Sequence, residues 1–212
     1  MQQMRTLILS TSILAAHVGA ANAALLIQPL SVSSATALFG TYQLTNMINQ
    51  DGLSQAYVSG FTDYATYMAS SPTQASNPLT QYTVMSEAAN VTYDFDLGTA
   101  HNVTNIILWN GPASASTRIS SFSVQVSDSP TFATSVNVGS FNSSPSAAHP
   151  VAAEGFSFAS TTGRYVRVVT TNAGGARTLV GEIAFAGTVV PEPSSAVLCA
   201  LGAAGVLLRR RR

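Results

Sequence analysis

Seven residues in the middle of the chain, Val91-Thr92-Tyr93-Asp94-Phe95-Asp96-Leu97, alternate strictly between apolar and polar. A period of two puts Val91, Tyr93, Phe95 and Leu97 on one side of an extended backbone and Thr92, Asp94 and Asp96 on the other, which is the pattern of a half-buried strand. Phe122-Ser123-Val124-Gln125-Val126 repeats the alternation, Val103 to Trp109 is a continuous apolar strand, and Arg164 to Thr170 and Ile183-Ala184-Phe185 follow. Tyr82 to Met85, Val136 to Phe141 and Phe156 to Phe158 are shorter candidates. Leu97-Gly98, Asn110-Gly111-Pro112, Ser129-Pro130 and Ala173-Gly174-Gly175 supply turn chemistry between the runs. No long amphipathic helix competes, so the expected fold is all-β, an antiparallel β-sandwich or jelly roll.

The two ends of the 212-residue chain follow different rules. Met1 to Ala23 carries Arg5, an apolar run from Leu7 to Ala16, and Ala21-Asn22-Ala23, whose small residues at −3 and −1 suit a signal peptidase. Residues 1–23 are therefore read as a signal peptide cleaved after Ala23. At the other end Pro191-Glu192-Pro193 is followed by an apolar run from Ala196 to Leu208 and by Arg209, Arg210, Arg211 and Arg212. A thirteen-residue helix rises about 20 Å, short of the ~30 Å hydrocarbon core, so it suits a transient inner-membrane anchor with its arginines on the cytoplasmic side.

The stretch between these ends, residues 24–190, is expected to form one domain. Its only basic residues are Arg118, Arg164, Arg167 and Arg177, against eight carboxylates, a net charge of −4 with no lysine. Such a domain lacks the clustered cations that nucleic acid requires. The single cysteine, Cys199, lies in the tail, so the domain holds no disulfide.

Two resemblances follow from these residues. The order Pro-Glu-Pro, apolar helix, arginine cluster resembles the PEP-CTERM sorting signal of Gram-negative bacteria that make exopolysaccharide. It implies that an exosortase in the inner membrane recognises residues 191–212, Pro191, Glu192, Pro193, Arg209 and Arg210 among them, removes the tail and relays the protein to the cell surface or extracellular matrix. Asp51-Gly52, Val91 to Gly98, Val103 to Trp109, Phe122 to Asp128, Gly163-Arg164-Tyr165-Val166-Arg167-Val168 and Gly181-Glu182-Ile183-Ala184-Phe185-Ala186-Gly187 occur in an order that resembles a discoidin domain. This is the coagulation-factor type C family, among the galactose-binding-like jelly rolls. The resemblance implies binding, usually without catalysis, through loops at one end of the sandwich.

It also implies a structural Ca²⁺ held by Asp51 and by Glu182, which opens the last strand. Hard oxygen donors, six to eight of them, are what that ion takes. Here the position where the family carries a Thr reads Gln55-Ala56, and its Trp is Tyr57. The other reading of Asp51-Gly52 is a plain turn capped by the Asp side chain.

Tyr57, Tyr64 and Tyr67, with Phe61 and Tyr82 nearby, mix flat rings with hydrogen-bonding neighbours and offer a stacking surface for sugar; alternatively they pack the long loop against the sandwich. Arg118 and Arg177 fall in expected loops, either as bidentate donors to a ligand or as solvated charges. Trp109 reads as core.

Catalytic constellations find no support. His101 and His149 lack metal-ligand spacing, no G-x-S-x-G elbow occurs, and Asp94 with Asp96 reads as two solvated strand charges rather than a glycosidase pair. The expected function is an exported, non-catalytic module that recognises carbohydrate of the surface or exopolysaccharide matrix. The alternative is a structural matrix protein without a small-ligand site.

Overall fold

The computed structural model describes residues 23–75, 80–86, 89–111, 115–144 and 150–190. The signal peptide, the sorting tail and His149 lie outside them, apart from Ala23. The described residues hold ten strands, one short α-helix and two 3-10 turns at Leu44–Met47 and Ala115–Thr117; the strands and the α-helix are β1 (Leu25–Ile27), β2 (Ser31–Ser33), α1 (Tyr64–Ala69), β3 (Thr73–Gln74), β4 (Thr83–Met85), β5 (Ala89–Trp109), β6 (Ile119–Ser127), β7 (Val136–Asn142), β8 (Val151–Asn172), β9 (Thr178–Val180) and β10 (Glu182–Val189). All strand pairs are antiparallel, in the order β1-β10-β5-β8-β6-β7, with β2 on β5, β3 on β8, and β4 with β9 as a separate pair. The chain folds as the antiparallel β-sandwich that the alternation and the turn residues imply.

Two long strands make the sandwich. The first part of β5 pairs with the last part of β8, Asp94 opposite Arg167 and Asp96 opposite Tyr165, and the register then shifts before His101 meets Gly163. Gly98 sits in that shift at φ +85°, a conformation that costs glycine little. The strand thus bends without ending, and Val91–Leu97 and Val103–Trp109 are two arms of one strand rather than two strands. Phe156–Phe158 and Arg164–Thr170 are likewise arms of β8. Bending brings the layers face to face: Phe95 on the first arm of β5 meets Phe185 of β10 edge to face at 5.3 Å, while β10 itself pairs with the second arm.

Val91, Tyr93, Phe95, Val124, Val126, Val166 and Val168 form the core with Ile106, Leu108, Ile183 and Phe185. Each such side chain contributes roughly 1.5–3 kcal/mol by leaving water. The polar residues of the same strands face outward, where Asp94 takes a bidentate Arg167 at 2.7 and 2.8 Å and Asp96 takes Arg164 at the same distances. The two strand carboxylates are therefore ion-paired rather than singly solvated.

The second arm of β5 is buried on both faces, which is why it reads as continuously apolar. Ile107 and Trp109, with Ala184 and Ala186 of β10, point away from the main core and are covered by Leu26, Tyr57 and Tyr67. The segment carrying those tyrosines is shaped by α1, whose N-cap Asp63 accepts the Thr66 N–H at 2.8 Å. Among the described residues no helix is long and apolar enough to cross a membrane.

Candidate functional site

One end of the sandwich gathers the candidates. Trp109 closes β5 and its register partner Glu182 opens β10. Asn110 then ties β5 to β6 by accepting the Ile119 N–H at 2.9 Å and donating to its carbonyl at 2.7 Å. Ile119 faces Asn172, the last residue of β8. Around this end the loop amides hold backbone carbonyls: Asn46 donates to Tyr82 O at 3.0 Å, Asn49 to Thr80 O at 3.1 Å, and Asn172 to Gly175 O and Arg177 O at 2.8 and 2.5 Å.

Here lies a cleft of about 210 Å³ lined by Phe39, Tyr42, Tyr82, Thr117, Arg177 and Leu179. The β4–β9 pair supports it, Val84 lying opposite Leu179. Tyr42 and Tyr82 stack with centroids 5.4 Å apart, and burial, then the Tyr42 hydroxyl, pushes the Tyr82 phenol up to about 12. Arg177 is exposed, and its guanidinium sits over Phe39 with the central carbon 3.3 Å from the ring centroid. Phe39 keeps 37% of its surface exposed. The cleft thus offers aromatic surface beside planar N–H donors, a combination suited to a polyhydroxylated ligand. Sequence reading marks Arg177 and mentions Tyr82 but misses Phe39 and Tyr42, which sit in a stretch with no periodicity or motif.

The tyrosines expected to form a stacking surface do something else. Tyr57 is 4% and Tyr67 2% exposed. Tyr67 packs edge to face on Tyr57 at 5.7 Å and on Trp109 at 6.3 Å, and its hydroxyl donates to Gln55 O at 2.7 Å. Burial, then the Glu182 charge, raises the Tyr67 phenol to about 12. The outward apolar face of β5 and β10 demands a cover, and these rings supply it, so neither is a ligand platform. Tyr64 is half-buried against the β8 backbone at Gly155, where an added Cβ would lie 2.5 Å from its hydroxyl, and it does not line the cleft. Arg118 is neither a solvated loop charge nor an exposed donor. It is 0% exposed and lines a second cavity, of about 310 Å³, with Asn110, Ser144, Val151 and Glu154. Desolvation pulls its guanidinium below the usual range.

Asp51 and Glu182, distant in sequence, meet at this same end. Asp51 is exposed, whereas Glu182 is fully buried and both its oxygens accept the Gln50 N–H at 3.2 Å. Burial raises the Glu182 carboxyl well above the usual range, backbone N–H groups lower it in part, and the Asp51 charge raises it again. Gln50 and Gly52 adopt φ of +62° and +78°, so the turn is sharp, and its Asx-type cap comes from Asn49, which accepts the Asp51 N–H at 2.8 Å. Gln74 donates to Asp51 O at 3.4 Å and to Gln81 O at 2.7 Å, while its own Oε1 is buried beside Gly181 with no hydrogen-bond partner among the described residues.

These residues fit a hard cation in kind: the buried Glu182 carboxylate, the exposed Asp51 carboxylate, and the unsatisfied oxygen of the Gln74 amide whose nitrogen donates to Asp51 O. Among the described residues no three of His, Cys, Asp and Glu cluster, so further ligands would be neutral oxygens. Gln55, where the discoidin resemblance expects a Thr, has its carbonyl accepting from Tyr67 and its Oε1 from Ser70. Away from this end, His101 is buried with Nδ1 2.8 Å from Thr99 O.

Comparison with known proteins agrees with this architecture. Residues 74–168 match the model of the NedA-like, galactose-binding domain, and residues 189–212 match the PEP-CTERM protein-sorting motif. No curated protein matches the chain. Among solved structures, the family 32 carbohydrate-binding module of Clostridium perfringens NanJ, in complex with galactose, is 9% identical with a TM-score of 0.54, over 77% of this chain and 98% of that one. A fucolectin from striped bass (Morone saxatilis) serum is 17% identical with a TM-score of 0.51, over 78% and 48%. Truncated AlyQ, with a family 32 module and an alginate lyase domain, is 18% identical with a TM-score of 0.53, and the match covers 81% of this chain but only 35% of AlyQ. At these identities the likeness is one of fold. Within the chain, residues 74–168 are thus galactose-binding-like and residues 189–212 carry a PEP-CTERM sorting motif.

Proposed function

We propose that the protein is an exported, non-catalytic module that binds carbohydrate of the cell surface or exopolysaccharide matrix, through the cleft lined by Phe39, Tyr42, Tyr82 and Arg177. The observation that carries this reading is the cleft itself: stacked rings and an exposed guanidinium held open at the loop end of a galactose-binding-like sandwich. Stacking on one face plus a few hydrogen bonds gives a single-site affinity of about millimolar to tens of micromolar, which repeated sugars would raise by avidity. The Asp51–Glu182 turn holds a structural Ca²⁺ in this reading, the ion offsetting the cost of burying the Glu182 charge. Signal peptidase removes residues 1–23, and the tail holds the protein transiently at the inner membrane until an exosortase releases it to the surface.

Titration of the protein with the producing cell's polysaccharide tests the central claim. Phe39→Ala should weaken binding about tenfold, as loss of one stacking face implies, with little change in Tm. Absence of any binding by the unmutated protein would leave a structural matrix role in place of recognition.

A further inference from the structure

The four arginines of residues 24–190 have different fates, and one is left over. Arg164 and Arg167 are each clamped by a strand aspartate, and Arg118 is fully buried. Arg177 is exposed at the mouth of the aromatic cleft, and among the described residues no carboxylate pairs with it. We infer that this cleft selects a carboxylate-bearing sugar of the uronic-acid class, with Arg177 as the residue that reads the carboxylate; the inference rests on the glycan reading above.

Three features carry it. The Phe39 ring centroid lies 3.3 Å from the central carbon of the guanidinium, a cation–π contact that does not use up the N–H fork. That fork matches the two oxygens of a carboxylate, and charge-assisted bidentate pairs are stronger than bonds to neutral hydroxyls. The cleft lining holds no acidic side chain, so an anionic sugar meets no like charge there. The hold on Arg177 is reinforced from below, because Asn172 donates to its carbonyl at 2.5 Å just before the chain enters β9.

The overall charge sharpens the argument. A lysine-free domain of net charge −4 repels a polyanion at long range, so retention on a polyuronate cannot arise from bulk electrostatics and requires a local cation. The rest of the binding, ring stacking with the Tyr and Thr hydroxyls, is indifferent to a carboxylate. Arg177 therefore controls preference between sugars more than it controls whether sugar binds.

The test compares an oligogalacturonate with the same oligosaccharide after its carboxyl groups have been reduced to alcohols, by calorimetric titration of the protein purified from its host. The charged form should bind about tenfold tighter. Arg177→Gln should erase that ratio, weakening the charged form about tenfold more than the reduced form, to whose hydroxyls the guanidinium also donates. Phe39→Ala should weaken both. Equal affinity for the two forms, or a preference that survives Arg177→Gln, would overturn the uronate inference while leaving glycan binding in place. Binding of neither form, nor of the cell's own polysaccharide, would overturn the glycan reading and this inference with it.

Discussion

Tyr67 separates a tyrosine that packs from one that binds. Its ring is 2% exposed, contacts Tyr57 and Trp109 edge to face, and closes the outer face of β5 and β10. Truncating a buried aromatic to Ala costs roughly 3–5 kcal/mol through lost transfer energy and the cavity left behind. For a domain of about this size each kcal/mol moves Tm by ~2–4 °C, so Tyr67→Ala should lower Tm by roughly 6–20 °C. Tyr67→Phe keeps the ring and loses only the bond to Gln55 O, about 0.5–1.5 kcal/mol, hence a fall of ~1–6 °C. Scanning calorimetry gives both numbers, and glycan titration well below either Tm should show unchanged affinity. A Tyr67→Ala protein that melts like the parent yet no longer binds sugar would refute the packing argument and return Tyr67 to the ligand.

Saturating Ca²⁺ should raise Tm by mass action, and Asp51→Ala should abolish the rise; an unchanged Tm at millimolar Ca²⁺ would remove the ion from the turn. Without the ion, the Glu182 carboxyl is raised in the folded state, so its contribution to stability is complete below the unfolded value near 4.5 and is lost as pH rises through the folded value. Asp96, lowered chiefly by its bond to Arg164, acts oppositely: its contribution is present above about 3.8 and is lost as pH falls through its folded value. Urea titrations in chelator should therefore show stability falling from mildly acidic toward neutral pH, and Glu182→Gln should remove that slope. Intact-mass measurement on protein from its host should show loss of residues 1–23 and of the tail ending in Arg209 to Arg212; a secreted product that retains those arginines contradicts sorting.

Strands were legible because alternation is a local property. Val91–Leu97 and Phe122–Val126 declare their buried faces residue by residue, and Trp109 is core as its apolar neighbours suggest. The union of two runs into β5 was not legible, because Leu97-Gly98 reads equally well as a hairpin turn or as a bend that keeps the ladder paired. Side-chain destinations depend on what covers what. Tyr57 and Tyr67 are drawn inward by a sheet face whose exposure is set only when β10 pairs with β5, and Arg118 is buried by loops remote in sequence. Arg177 was legible as a loop cation, but its partner Phe39 lies 138 positions earlier and only the fold joins them.

A loop end that must present a defined cleft needs stiffening, and this domain has no cysteine with which to provide it. Side-chain amides take that part. Asn46, Asn110, Asn172 and Gln74 are all buried, and each bonds a backbone carbonyl of a neighbouring segment: Tyr82, Ile119, Arg177 and Gln81 respectively. An amide can do this at depth because it satisfies the backbone while bringing no net charge to desolvate, whereas a lysine or aspartate in the same place would add the cost of a buried ion. The low charge content of the chain, 8%, is consistent with such a design. Two of these amides hold residues of the aromatic cleft directly, Tyr82 and Arg177, and Gln74 joins the Asp51 turn to the residue before Tyr82. In the proposed glycan reading, the backbone that carries Tyr82 and Arg177 is thereby held in place before a ligand arrives. For a weak, repeated interaction that matters more than added contact area, because each side chain left to be ordered on binding would consume about 0.5–1.5 kcal/mol of an affinity of only a few kcal/mol.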